Sequence, residues 1–89
     1  MPGSAPMSNL EYTQHAVGRM AKRQIQAAWV ERVVVRPDFV EDDEFDAELE
    51  HRLGKVPELA NRVLRVIVTK SSPVRVVTVH LDRRMKGKI

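Results

Sequence analysis

The stretch RVLRVIVTKSSPVRVVTVHL, residues 62–81, decides the fold. Two runs dense in valine, leucine and isoleucine, Arg62–Thr69 and Val74–Leu81, flank Lys70-Ser71-Ser72-Pro73. β-Branched residues suit the pleated surface of a sheet, and Ser and Pro suit turns, so the stretch predicts an antiparallel hairpin. Successive side chains of a strand point to opposite faces. A tight turn centred on Ser71-Ser72 groups Leu64, Val66 and Val68 with Val77, Val79 and Leu81, and this face is expected to carry the core. The other face then holds Val63, Arg65, Ile67 and Thr69 beside Val74, Val76, Thr78 and His80. In that register Arg65 lies opposite Thr78, with His80 one pair further on. An Arg/Thr/His cluster of this kind can bind a phosphate, or it can be the polar side of a half-buried sheet.

Towards the N-terminus the period changes from two to 3.6. Thr13 is placed to cap a helix starting at Gln14, with Ala16, Val17, Met20 and Ala21 on its apolar face. His15, Arg19, Lys22 and Arg23 fall on the opposite side. A second helix is expected over about residues 26–35, its stripe formed by Trp29, Val30, Val33 and Val34, with Pro37 ending it. Phe39-Val40 and Glu48–Leu53 are weaker, highly charged strand candidates. Two apolar helix faces and one apolar sheet face must bury each other. The expected class is therefore α+β, two N-terminal helices packed on one face of a small antiparallel β-sheet.

The 89 residues suit one domain, expected over 10–89. Residues 1–9, rich in Pro, Gly, Ser and Ala, are expected to be a disordered leader in which Met7 is a candidate start. No apolar run approaches the roughly 18 residues of a membrane helix, and no cysteine is present. A soluble, cytoplasmic protein is the expectation. Charge is segregated: eight of the twelve acidic residues lie between Asp38 and Glu50, a window without Lys or Arg. The stretch after Leu81 holds Arg83, Arg84, Lys86 and Lys88, a bias that suits either polyanion binding or plain solvation.

Three stretches in order are similar to the family catalogued as domain of unknown function (DUF) 4258. They are His15-Ala16 with Arg19-Met20 and Arg23; Pro57-Glu58-Leu59 running into Arg62–Val68; and Val76–Val79 followed by Asp82–Lys88. The resemblance covers about residues 10–89 and implies a compact αα–ββββ arrangement. One departure is Gln24-Ile25-Gln26, where many relatives have Gly-Ile-Ser before the second helix. More remotely, the resemblance implies kinship with RelE/ParE-like toxins and small metal-independent ribonucleases, an analogy of fold that assigns no activity by itself.

RNA cleavage by the 2′-hydroxyl needs a base, an acid and cations on the phosphate. Histidine titrates near neutrality, and arginine presents a planar fork to two phosphate oxygens. His15 is the candidate acid or base, with Arg19 and Arg23 on phosphate and Thr78, His80 and Arg83 as partners. Arg65, Arg83, Arg84, Lys86 and Lys88 are the candidate nucleic-acid contacts. The alternative is a non-catalytic module that binds protein or nucleic acid. No cofactor is expected; the candidate partners are RNA, a cognate antitoxin-like protein or a second copy of the chain. His15, His51 and His80 have no zinc-motif spacing, the acids follow no EF-hand pattern, and no phosphate-binding glycine loop is present.

Overall fold

A computed structural model describes residues 10–89; the expected leader lies outside these residues. A two-residue strand, β1 (Glu11–Tyr12), leads into α1 (Gln14–Arg23) and α2 (Ala27–Val35). Four strands follow: β2 (Phe39–Asp42), β3 (Leu49–Val56), β4 (Arg62–Thr69) and β5 (Arg75–Leu81). Short 3-10 turns occupy Pro57–Leu59 and Arg83–Met85. The order across the sheet is β1-β5-β4-β3-β2. The three pairings among the four long strands are antiparallel, as expected, but β1 joins β5 in parallel and makes the sheet mixed. Two residues carry no periodicity, so β1 leaves no trace in the sequence pattern.

Both helices form for the reasons their sequences give. Thr13 Oγ1 accepts from the Ala16 amide at 3.0 Å and caps α1, while Gln24 closes it in the left-handed region (φ 58°). In α2 the run Val33-Val34-Val35 prefers a strand locally. Burial overrides that preference, because Trp29, Val30, Val33 and Val34 all sit in the core. Arg52 from β3 donates to the Val34 carbonyl at 2.8 Å, so a cation satisfies the end of the helix.

The hairpin keeps its two expected strands but not the expected register. Arg65 lies opposite His80 rather than Thr78, and Ile67 faces Thr78. Shifting a pair by two residues leaves each side chain on its own face, so Val79 is in the core as expected and Leu81 packs against it. A bulge then intervenes between Ile67 and Val68, whose partners are Thr78 and Val76. Val77 is the extra residue, and the strand beyond it changes face. Val76, expected on the open face, is fully buried, while Val77 is only half-buried. The connection is also longer than a tight turn, since β5 begins at Arg75, whose amide bonds Thr69 Oγ1 at 2.9 Å.

The second correction concerns α1. Of Ala16, Val17, Met20 and Ala21, only Ala16 is buried and Met20 partly so; Val17 is 53% exposed. The helix packs along β5, where Ala16 enters the core. Thr13 Oγ1 donates to the Val77 carbonyl at 2.8 Å and Arg19 Nε to the Val79 carbonyl at 3.3 Å. β1 pairs with Arg75 and Val76, so beyond Val76 the outer edge of β5 has no strand beside it among the described residues, and α1 supplies partners there. Arg19, expected to face solvent, is therefore half-buried against the sheet. On the other face Leu53 and Val63 are also buried, and the last 3-10 turn packs against β4.

Candidate functional site

The end of β5 brings together charges from four segments. Arg19 and Arg23 come from α1, Arg62 opens β4, His80 ends β5 and Arg83 starts the last 3-10 turn. With Leu81 they line a cleft of about 370 Å³. A neighbouring cavity of about 410 Å³ shares Arg62, Leu81 and Arg83 and adds Val63, Asp82 and Lys86. Together they form one cationic groove with a partly apolar floor. The groove lies at the end of β5, where the α1 arginines meet Arg62 and Leu81, which share the parity of Leu64, and His80, which shares that of Arg65.

Around the corner from that groove is a network of ion pairs. Arg65 is its hub: Nε and Nη2 donate to Asp82 at 3.0 and 2.8 Å, and Nη1 donates to Glu41 at 2.8 Å. The same Nη1 lies 2.6 Å from His51 Nδ1, and His51 Nε2 lies 2.6 Å from Asp43 Oδ1. Arginine can only donate, so Nδ1 must accept and the His51 proton sits on Nε2, towards Asp43. Both ring nitrogens of His51 are thus engaged. A cavity of about 450 Å³ lies over this network, lined by Glu41, Asp42, Glu44, His51, Arg65, His80 and Arg84.

His80 lines both that cavity and the cleft. Among the described residues no hydrogen bond holds its ring. Burial lowers its pKa below the ordinary 6.5, and the charges of Arg65 and Arg19 add to that effect, against a smaller opposing pull from Asp82. The imidazole is therefore neutral at pH 7 and able to take a proton. Burial alone raises the pKa of Asp82, yet hydrogen bonds from the Arg65 side chain and the Arg84 amide outweigh it and hold the carboxyl below its usual value. Through Oδ1, Asp82 also caps the last 3-10 turn, accepting from the Arg84 amide at 3.1 Å. One carboxylate so fixes both the hub arginine and the start of the basic stretch. Asp43 is held low by the His51 hydrogen bond, reinforced by the amides of Phe45 and Asp46.

Of the residues singled out from the sequence, Arg19, Arg23, His80 and Arg83 converge on the cleft. His15 is exposed and lines neither the cleft nor the cavities beside it. Thr78 is half-buried opposite Ile67, also away from the cleft. Arg65 is committed to its three partners, Arg84 borders the ion-pair cavity, Lys86 borders the groove, and Lys88 borders neither. Sequence reasoning missed Arg62, His51 and the carboxylates of Glu41, Asp43 and Asp82. Arg62 shares the alternation of Leu64 and Val66, so a cation at a core-parity position was its available signal. For His51 the signal was an imidazole beside a run of acids, weighed there for metal binding and charge but not as an ion-pair network.

The family model described as a domain of unknown function (DUF4258) matches residues 12–80. The chain belongs to the DUF4258 family. No curated protein and no solved structure matches it. Within this DUF4258 domain the matched residues include Arg19, Arg23, Arg62 and His80, whereas Arg83 and Lys86 lie beyond them. Among the described residues of the domain, no helix is long and apolar enough to cross a membrane.

Proposed function

We propose that this DUF4258 domain binds RNA in the arginine cleft and cleaves it there without a metal ion, with His80 as the base. The observation that carries the reading is the gathering of Arg19, Arg23, Arg62 and Arg83 around one half-buried histidine. Guanidinium forks suit a phosphodiester and hold the negative charge that grows on it during attack. His80, neutral at pH 7, accepts the 2′-hydroxyl proton. The 2′-oxygen bonds to phosphorus, the bond to the 5′-oxygen breaks, and that oxygen takes its proton from the imidazolium or from water. The cleft lining contains four cations and no carboxylate, a set that repels a divalent ion.

A second reading, a module that holds RNA without cutting it, is favoured by one feature. Among the residues lining the cleft, His80 is the sole group that titrates near neutrality, so no separate acid stands opposite it. One experiment separates the two. Purified protein is incubated with a mixed RNA pool in excess chelator, as wild type, His80→Ala and His15→Ala. Cleavage by wild type that falls about 10²-fold or more in His80→Ala, with His15→Ala unaffected, supports the reading. RNA left intact by wild type but retained on a filter selects the binding module. Expression in cells extends the test: a toxin arrests growth as wild type and spares it as His80→Ala, and a cognate antitoxin-like partner relieves the arrest.

A further inference from the structure

At the far side of the sheet from the cleft, β2 is an edge strand, and all four of its residues are exposed. Among the described residues nothing pairs with its outer edge, so alternate N–H and C=O groups face away from β3. Edge strands are usually blunted by shortness, charge, proline or a bulge. β2 is four residues long and carries Glu41 and Asp42, but it holds no proline or bulge, and its pairing with β3 is regular. It displays apolar surface instead: Phe39 is 41% and Val40 46% exposed, and Phe45 in the following loop is 91% exposed. That loop is well ordered by hydrogen bonds, since Asp43 Oδ2 accepts from the amides of Phe45 and Asp46 at 3.0 and 2.9 Å. Phe45 is thus presented on a fixed turn with no core to enter.

The charge of the same segment says what can cover it. Of the eight carboxylates in residues 38–50, three are offset by arginine or lysine: Glu41 by Arg65, Asp42 by Lys70 and Glu50 by Arg52. Glu44, Asp46 and Glu48 are exposed and have no cationic side chain against them in the described residues. Nucleic acid is repelled by such a surface. A second copy joined edge to edge through β2 would bring two acidic windows together, which like-charge repulsion opposes. An extended basic segment of another protein fits both features, adding a strand at the edge while its lysines or arginines meet the carboxylates.

We infer that the β2 edge and the loop after it form a docking site for an extended, basic segment of a partner protein, which would pair as a sixth strand. The inference is independent of any activity at His80. The test uses the whole chain and a short labelled peptide alternating lysine with valine. A control peptide of equal charge, with its central valine replaced by proline, cannot complete the ladder. Binding is read by fluorescence anisotropy and located by backbone amide shifts. The expected result is shifts centred on residues 39–45, affinity at least about tenfold weaker for the proline control, and a similar loss in Glu44→Lys/Glu48→Lys, whose exposed positions leave the fold intact. Phe45→Ser should weaken binding without altering the circular dichroism spectrum. Equal binding of the proline control would overturn the inference, as would shifts at another surface or no binding at all. So would sedimentation showing that the chain pairs with itself through β2 and that Val40→Pro prevents it.

Discussion

At the scale of single residues, His80 and Asp82 divide the labour of the site. His80 has no hydrogen-bond partner among the described residues, and its pKa is displaced below 6.5 by burial and neighbouring cations. If it is the base, cleavage should rise with pH through a midpoint below pH 6.5, whereas a fully solvated histidine would place that midpoint at about 6.5. A pH–rate profile under kcat/KM conditions reads this directly. Asp82 is a positioning residue, buried and bonded to the Arg65 fork and the Arg84 amide. Asp82→Asn should cost about 2 kcal/mol of stability at pH 7, the loss expected for hydrogen bonds to a charged group. Its sign with pH follows from the lowered carboxyl pKa. The stabilisation is present above the unfolded value of 3.8 and is lost as pH falls through the folded value. Urea melts of wild type and Asp82→Asn should therefore differ at pH 7 and converge in strong acid.

At the scale of elements, α2 and β3 meet where a glycine permits it. A methyl group on Gly54 would lie 3.0 Å from Val33 Cγ2, tighter than most packed carbons. Val33 is β-branched and buried, so making room disturbs the core, and Gly54→Ala should lower stability by about 1–2 kcal/mol, measured by urea denaturation. Helix α1 makes the opposite case. It buries little beyond Ala16 and is held beside β5 by hydrogen bonds from Thr13 and Arg19 to strand carbonyls. Its position was hidden in the sequence, because Val17 and Ala21 enlarge the apparent apolar face yet stay exposed. An amphipathic pattern fixes which side prefers burial, but a neighbouring strand edge offers a competing partner for polar side chains. Here the edge turned Arg19 inward.

For the molecule as a whole, opposite charges collect at opposite ends of the sheet. The cleft at β5 gathers arginines, and the β2 edge three strands away gathers carboxylates. On the proposed reading, this field would steer a polyanion to one end and a basic partner to the other. RNA affinity should therefore fall steeply with salt. On a single strand, each cleft arginine replaced by glutamine should reduce the slope of log affinity against log salt by about 0.7 if that residue meets a phosphate. Titrations of Arg23→Gln and Arg62→Gln over a range of salt concentrations measure it. Lys88→Gln, outside the groove, should leave the slope unchanged.

The sequence by itself determined the two helices, the β4–β5 hairpin, the α+β class and the family. Each of these rests on local periodicity, capping and turn chemistry, or on motifs read in order. Arg19, Arg23, His80 and Arg83 were also legible, as cations and a histidine of the right chemistry. What only the tertiary structure decided is which of them meet. The bulge at Val77 exchanged the roles of Val76 and Val77, and the longer connection set His80 opposite Arg65. Both depend on how strands far apart in sequence align, which no alternation of residue types encodes. Arg62, Asp82 and His51 acquired their roles in the same way. A side chain's charge is written in the sequence, but its partner is supplied by the register of the neighbouring strand.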